Sequence, residues 1–263
     1  MGATPQPAGT PAARSSPLAD APDAALWRSL GWRPDPGQLA SFQELQHLLR
    51  QWNGRVNLSR LVEGDDYWIG QVYDSLWPLR SLIGSPAAAE PLRLIDVGTG
   101  GGFPGMAAAI ALPAARLTLV DSVGRKVEAV RAMADSLGLA ERVDLRCERI
   151  ERSGRASDCR GRFEWAMARA VASAPVVAEY LVPLLAPRGR AILYRGQWST
   201  GDQTCLERAA RQLNAAVTEV ERCDLPGGRG VRHALILRPL APCPAAYPRP
   251  VGVALKAPLG EAD

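Results

Sequence analysis

Lysine is almost missing from this chain: of 31 basic residues only Lys126 and Lys256 are lysines, and the rest are arginines. With a net charge of +4 and a pI near 9.0, that balance suits an anionic partner, because a guanidinium fork matches phosphate bidentately. A coding bias towards arginine accounts for the same ratio, so charge alone does not assign nucleic-acid binding. Cysteine is sparse and unpaired in pattern. The five thiols at 147, 159, 205, 223 and 243 form no C-x-x-C pair, which excludes a zinc ribbon and points to free thiols in a reducing compartment. No segment offers about 18 uninterrupted apolar residues, as a membrane-spanning helix requires. The first 22 residues are rich in Pro, Ala, Gly and Ser without a signal-peptide core, and Gln6 stands where a myristoylation signal needs Ser or Thr. The expectation is a soluble, cytoplasmic protein with a disordered N-terminal arm over residues 1–22.

What is present divides into three regions. From 23 to 84 the apolar residues Leu39, Phe42, Leu45, Leu48, Leu49, Trp52 and Val56 recur at helical spacing, and Trp68, Val72, Leu76 and Leu79 mark a second helix over 66–82. "GSPAAAEP", 84–91, reads as a linker. From Leu92 the rhythm alternates. Strands are predicted at 92–97, 116–121, 143–147, 165–168 and 190–195, with helices at 105–111, 125–137, 176–185 and 202–215, a pattern that gives right-handed crossovers and a mostly parallel sheet. Two further alternating strands around "LPGGRG" read as an antiparallel hairpin at the sheet edge. The proline-rich tail over 239–263 is expected to be irregular and folded back.

The glycine-rich stretch "LRLIDVGTGGGFPG" follows the first strand, where a doubly wound sheet has its ligand crevice. Gly100, Gly102 and Gly105 spell G-x-G-x-x-G, the dinucleotide fingerprint, but Asp96 with Gly98, Gly100 and Gly102 also spells D-x-G-x-G-x-G. A carboxylate at Asp96 suits a cationic sulfonium and ammonium and opposes a pyrophosphate. S-adenosylmethionine is therefore favoured over a nicotinamide or flavin, while Asp121, closing the second strand, suits the ribose of either. Asp96 capping the following turn is the structural alternative.

The words "DVGTGGGFPG", "LVDSVGRKVEAV", "ARAVAS" and "LYRGQ" resemble the bacterial 16S ribosomal RNA guanine-N7 methyltransferase family, also called the glucose-inhibited division protein B family. The likeness extends to "WNGRVNLS", "YDSL" and "YPRPVGVALKAPL" and spans residues 39–259. It implies a Rossmann-like S-adenosylmethionine-dependent methyltransferase fold of the α/β class. In that fold a mostly parallel seven-stranded sheet over 92–238 follows an N-terminal helical layer. It also implies methyl transfer to N7 of a guanine in the 530 loop of 16S rRNA, on the RNA or a 30S particle. Carried over by position, Gly98, Phe103, Asp121, Ser122, Val123, Ile150, Glu151 and Arg169 are the expected cofactor contacts, beside Asp96, Gly100 and Gly102. Asp121 is expected on the ribose hydroxyls and Ile150 on the adenine, with Glu151 beside it.

Guanine N7 has a lone pair and no proton to lose, so the reaction needs alignment more than a general base. There is no N-P-P-Y word for an exocyclic amine, and Cys243 lies too far along the chain for a C5-type nucleophile. No residue is therefore assigned as catalytic, with Arg169 the candidate for positioning. Arg125, Lys126, Arg195 and Arg249, with Arg169, are the candidate phosphate clamp. Three departures from the family pattern bear on RNA contact: Gln71 stands for a usual histidine, Arg195 for a lysine, and Pro250 interrupts a basic word. Trp52, Asn53, Asn57, Asp74 and Ser75 either line the substrate side or brace the helical layer. No metal and no membrane partner is expected. The rival functions are an RNA-binding assembly protein that has kept the fold, and a small-molecule methyltransferase.

Overall fold

In a computed structural model, which describes residues 22 and 24–261, the helical spacing around Leu39 becomes one long helix whose ends follow from local chemistry. The arm expected over residues 1–22 lies, apart from Pro22, outside the described residues. After α1 (Ala24–Arg28), α2 (Pro36–Asn53) begins at an Asp35 cap. The Asp35 carboxylate accepts from Gln38 N at 2.8 Å, and the Gln38 amide oxygen accepts from Asp35 N at 3.0 Å. This reciprocal pair satisfies two otherwise orphaned donors, and Pro36 fits the first turn without needing an N–H. Phe42, Leu45, Leu48 and Leu49 then share the buried face.

The predicted helix over 66–82 is broken. The chain runs α3 (Gly64–Tyr67), a π-helical segment (Trp68–Tyr73), α4 (Asp74–Leu76), a 3-10 turn (Trp77–Leu79) and α5 (Arg80–Ile83). Pro78 explains the second break, since it supplies no N–H to continue the α-helical ladder. The expected linker holds a 3-10 turn, Pro86–Ala89.

Seven strands follow: β1 (Arg93–Val97), β2 (Arg116–Asp121), β3 (Val143–Cys147), β4 (Phe163–Arg169), β5 (Leu185–Arg195), β6 (Ala215–Asp224) and β7 (Val231–Pro239). They form one sheet in the order β3-β2-β1-β4-β5-β7-β6, with β7 antiparallel to both neighbours and the first five strands parallel. The antiparallel hairpin expected from the sequence is thus present, with β7 inserted between β5 and β6. Between strands lie α6 (Gly105–Ala111), α7 (Gly124–Ser136), α8 (Ile150–Ser153), α9 (Ala174–Leu181) and α10 (Thr200–Gln212). Two predicted helices overran. Pro183 ends the first in a 3-10 turn, Val182–Leu184, so that β5 starts at Leu185 rather than at residue 190; Asn214, at φ 56°, ends the second before β6.

Strand alternation builds two cores. Leu94, Trp165, Met167, Ile192 and Ile236 face the helical layer with Phe42, Tyr67 and Leu76; Ile95, Ala166, Ala168, Leu193 and Leu237 face α9 and α10. All seven residues of α6 are buried, and its four alanines let α2 and α4 pack closely over it. The tail carries one short helix, α11 (Val253–Lys256), and Ala254 and Leu259 join the second core.

Candidate active site

The strand order reverses between β1 and β4, so the crevice beyond their carboxyl ends is the topological switch point of the sheet. The turn after β1 fills one wall of it. Gly98, Gly100 and Gly102 have φ of 70°, 57° and 95°, a region that favours glycine, and a Cβ at Gly98 would lie 2.6 Å from Val171 Cγ2. Only a chain without a side chain at residue 98 makes this turn unstrained.

Two carboxylates hold the turn, and they do so differently. Asp96 is fully buried; its Oδ2 accepts from Thr99 Oγ1 at 2.7 Å and from Gly105 N at 2.8 Å, joining the two ends of the loop. Its Oδ1 has no partner among the described residues. Burial pushes this carboxyl up to about 6, against the opposing hydrogen bonds from Thr99 and Gly105. Asp96 was expected beside the cofactor's cation; it lies instead beneath the turn, off the cleft wall, because its oxygen is taken up by the backbone. Asp121 is half-buried on the wall itself, with Oδ2 accepting from Gly100 N and Oδ1 from Val123 N, both at 2.9 Å. Each oxygen keeps a second lone pair.

The cleft has a volume of about 740 Å3. Gly98, Gly100, Phe103, Asp121, Ser122, Ile150 and Arg169 line it, as do Lys126 and Arg195 from the expected clamp. Besides Asp96, five sequence candidates do not. Gly102 packs on Met106; Val123 contributes its N–H to Asp121; Arg125 is exposed outside the cleft. Glu151 is buried behind the wall: it accepts from Gly252 N at 2.9 Å and Tyr180 Oη at 3.4 Å and lies 3.5 Å from Arg149 Nη2, so it joins the tail to two residues that line the cleft without lining it itself. Arg249 is held by Glu179 through contacts of 2.6 to 3.1 Å and donates to Ala257 O at 2.8 Å. It stands apart from the cationic cluster.

Arg169 closes the other wall. It donates to Gly70 O and Asp74 Oδ2, both at 3.1 Å, and to Gln71 Oε1, while its guanidinium lies 5.9 Å from the centre of the Phe103 ring. The π-helical segment brings these acceptors together, and it ties the sheet to the helical layer. Gln71, where the family usually has histidine, meets Arg169 with its amide oxygen and Ser59 Oγ with its amide nitrogen at 2.7 Å. Asp74 also lies 3.5 Å from Arg232 Nε. Arg149 and Arg232 line the cleft and escaped sequence reasoning, although Arg149 adjoins Ile150, an expected cofactor contact. Among the other substrate-side candidates, Asn53 Oδ1 folds the loop by accepting from Leu58 N and Ser59 N, Ser75 bonds Gln71 O, and Trp52 packs on the core. Asn57 is exposed. Among the described residues no cluster of His, Cys, Asp or Glu is placed to hold a metal, and no helix is long and apolar enough to cross a membrane.

These features separate the two cofactor classes. A pyrophosphate would need the free N–H groups opening α6, but Pro104 has none to give and that of Gly105 is already bonded to Asp96. A glycine-walled cleft with an oriented Asp121 carboxylate and the apolar Ile150 fits a ribose and an adenine without a phosphate. Fold and site together define an S-adenosylmethionine-dependent methyltransferase.

The profile of the family described as "GidB: rRNA small subunit methyltransferase G" matches residues 38–232. The chain belongs to this family. It is 62% identical over 235 residues to the "Ribosomal RNA small subunit methyltransferase G" of Synechococcus sp. (strain RCC307), covering 89% of this chain and 98% of that one. It is 58% identical over 245 residues to the protein of the same name from Parasynechococcus marenigrum (strain WH8102), covering 93% and 98%. Among solved structures, the O-methyltransferase of Bacillus cereus in complex with SAH aligns with a TM-score of 0.52 at 13% identity, over 73% of this chain and 89% of that one; the likeness is one of fold.

Proposed function

We propose that the cleft transfers a methyl group to N7 of a guanine in the 530 loop of 16S rRNA, with the RNA presented in a 30S particle in the cytoplasm. The observation that carries this reading is the rim of Lys126, Arg149, Arg195 and Arg232 around a cleft walled by the glycine turn, in a chain of this family. With Arg169, five cations line the open cleft against the three carboxylates of Asp74, Asp121 and Glu148, an excess that suits a polyanion better than a small neutral substrate.

Bound S-adenosylmethionine supplies an electrophilic methyl group. Asp121 would accept from the ribose hydroxyls, and Ile150 would pack on the adenine. Arg169, fixed by Gly70, Gln71 and Asp74, holds Phe103 and the glycine turn in register with the helical layer. Residues 92–238 thus carry the cofactor, and the layer over 23–84 closes the substrate side. Neither histidine nor any cysteine lines the cleft, in keeping with an acceptor nitrogen that needs no base. Burial pushes the Cys243 thiol up to about 11, which suppresses the thiolate a C5-type mechanism would require.

The test is transfer of labelled methyl to 30S particles lacking the modification, and to naked 16S rRNA, with mapping of the label. Label at N7 of a 530-loop guanine is expected. Transfer to a different base, or none despite measured cofactor binding, would contradict the assignment.

A further inference from the structure

A second hollow, of about 340 Å3, opens at the far end of the sheet, where β1 to β4 begin. Five arginines surround it: Arg93, Arg116, Arg131, Arg142 and Arg146. Three carboxylates share the lining, and Arg146 pairs with two of them, Asp144 and Asp158; the third is Glu141. Among the described residues no carboxylate meets the guanidinium group of the other four arginines, although the backbone N–H of Arg93 donates to Glu164 Oε2 at 2.7 Å. Arg93 donates to the carbonyl of Asp158 at 3.2 Å, Arg116 to that of Glu141 at 3.3 Å, and Arg131 to that of Leu145 at 2.7 Å. Arg142 bonds three carbonyls around the end of α6, and burial works against its charge. A guanidinium has five N–H donors, so Arg93, Arg116 and Arg131 retain most of theirs. Three of the four uncompensated cations are exposed.

We propose that this hollow binds a phosphate of the RNA backbone, as a second contact remote from methyl transfer. Several guanidinium forks converging on one small hollow match a tetrahedral phosphate with its oxygens spread in different directions. The strands between the two ends are five to six residues long, which at about 3.3 Å per residue puts the hollow roughly 17 to 20 Å from the cleft. An RNA substrate spans that distance readily, whereas a small acceptor does not. The identity of the RNA rests on the function proposed above; the phosphate chemistry rests on the arginines alone.

The test is binding of 16S rRNA by the full chain across a salt series, with Arg93→Gln/Arg116→Gln as the variant, since both residues are exposed and outside the cleft. Affinity should fall about three- to tenfold near 0.1 M salt, and the slope of log affinity against log salt should become shallower by about 1. S-adenosylmethionine affinity, measured by calorimetry, should stay unchanged. A charge-matched control, Arg208→Gln/Arg211→Gln on α10, should have a clearly smaller effect. Equal effects from the two variants, or no change in slope, would overturn the proposal. Binding of inorganic pyrophosphate that is lost in the variant, with RNA binding unchanged, would assign the hollow to a free phosphate and overturn the RNA contact. Failure of the wild-type chain to bind rRNA would strike the parent reading as well, whereas wild-type binding matched by the variant strikes this one alone.

Discussion

Arg169 and Arg249 were nominated for the same work, and their side chains are almost equally accessible, 17% and 22%. Their partners set them apart. Arg169 meets Asp74, whose carboxylate lines the cleft and reaches a second arginine, Arg232; Arg249 meets Glu179, which is fully buried between α9 and the tail. The first pair lines the cleft. The second fastens the last segment of the chain to the second core. A basic residue in a family word is thus read by the carboxylate it meets, since exposure does not separate the two cases.

The largest expected effect is on the tail. Arg249→Ala leaves Glu179 charged and buried, which should lower stability by about 3 to 5 kcal/mol in chemical denaturation. Glu179→Gln in the same background should recover part of the loss. If Arg249 gripped RNA instead, stability would hardly move and rRNA affinity would fall, and the distinction between the two arginines would collapse. Asp96 and Asp121 repeat the comparison in acidic form. Asp96, raised from about 3.8 to about 6, favours the folded state while protonated; that contribution is complete below about pH 4 and is lost as the pH rises through 6. Relative to Asp96→Asn, the wild type should lose up to about 3 kcal/mol between pH 4 and 7. Parallel pH profiles would contradict the buried, poorly compensated carboxylate.

Arg169→Ala should reduce single-turnover methylation by about a hundredfold, because loosening the wall misplaces the reacting groups by a fraction of an ångström or more. Wild-type turnover would remove Arg169 from the site. Asp121→Ala should weaken cofactor binding at least about tenfold by calorimetry, through loss of hydrogen bonds to a charged acceptor. Unchanged affinity would place the ribose elsewhere.

Much of this architecture was legible because it is local. The strand at 116–121 and the glycine turn each depend on residues within a few positions of one another. The hairpin was readable for the same reason. What escaped depends on distant partners. Glu179 lies 70 residues before Arg249, and Asp74 lies 95 before Arg169, so no local pattern separates a tail latch from a cleft wall. Asp96 was read by charge, but Gly105 N, nine positions on, claims its oxygen once the turn closes. Arg149 follows β3 and Arg232 lies in β7, strands far apart both in sequence and across the sheet, and no local pattern puts the two on one cleft. The break of the 66–82 helix illustrates a different limit. Its apolar spacing continues through the π-helical segment, and the geometry there is set by Arg169 and the sheet as much as by residues 68–73.

In the proposed function the glycine turn and Asp121 hold S-adenosylmethionine while Arg169 braces the opposite wall. The most direct measurement is a crystal structure of the chain with bound S-adenosylhomocysteine. The expected result is a ribose within hydrogen-bond distance of the Asp121 carboxylate and an adenine against Ile150, with Arg169 still bonded to Asp74. A ligand bound away from residues 98–102, or Arg169 swung free of Asp74, would contradict it.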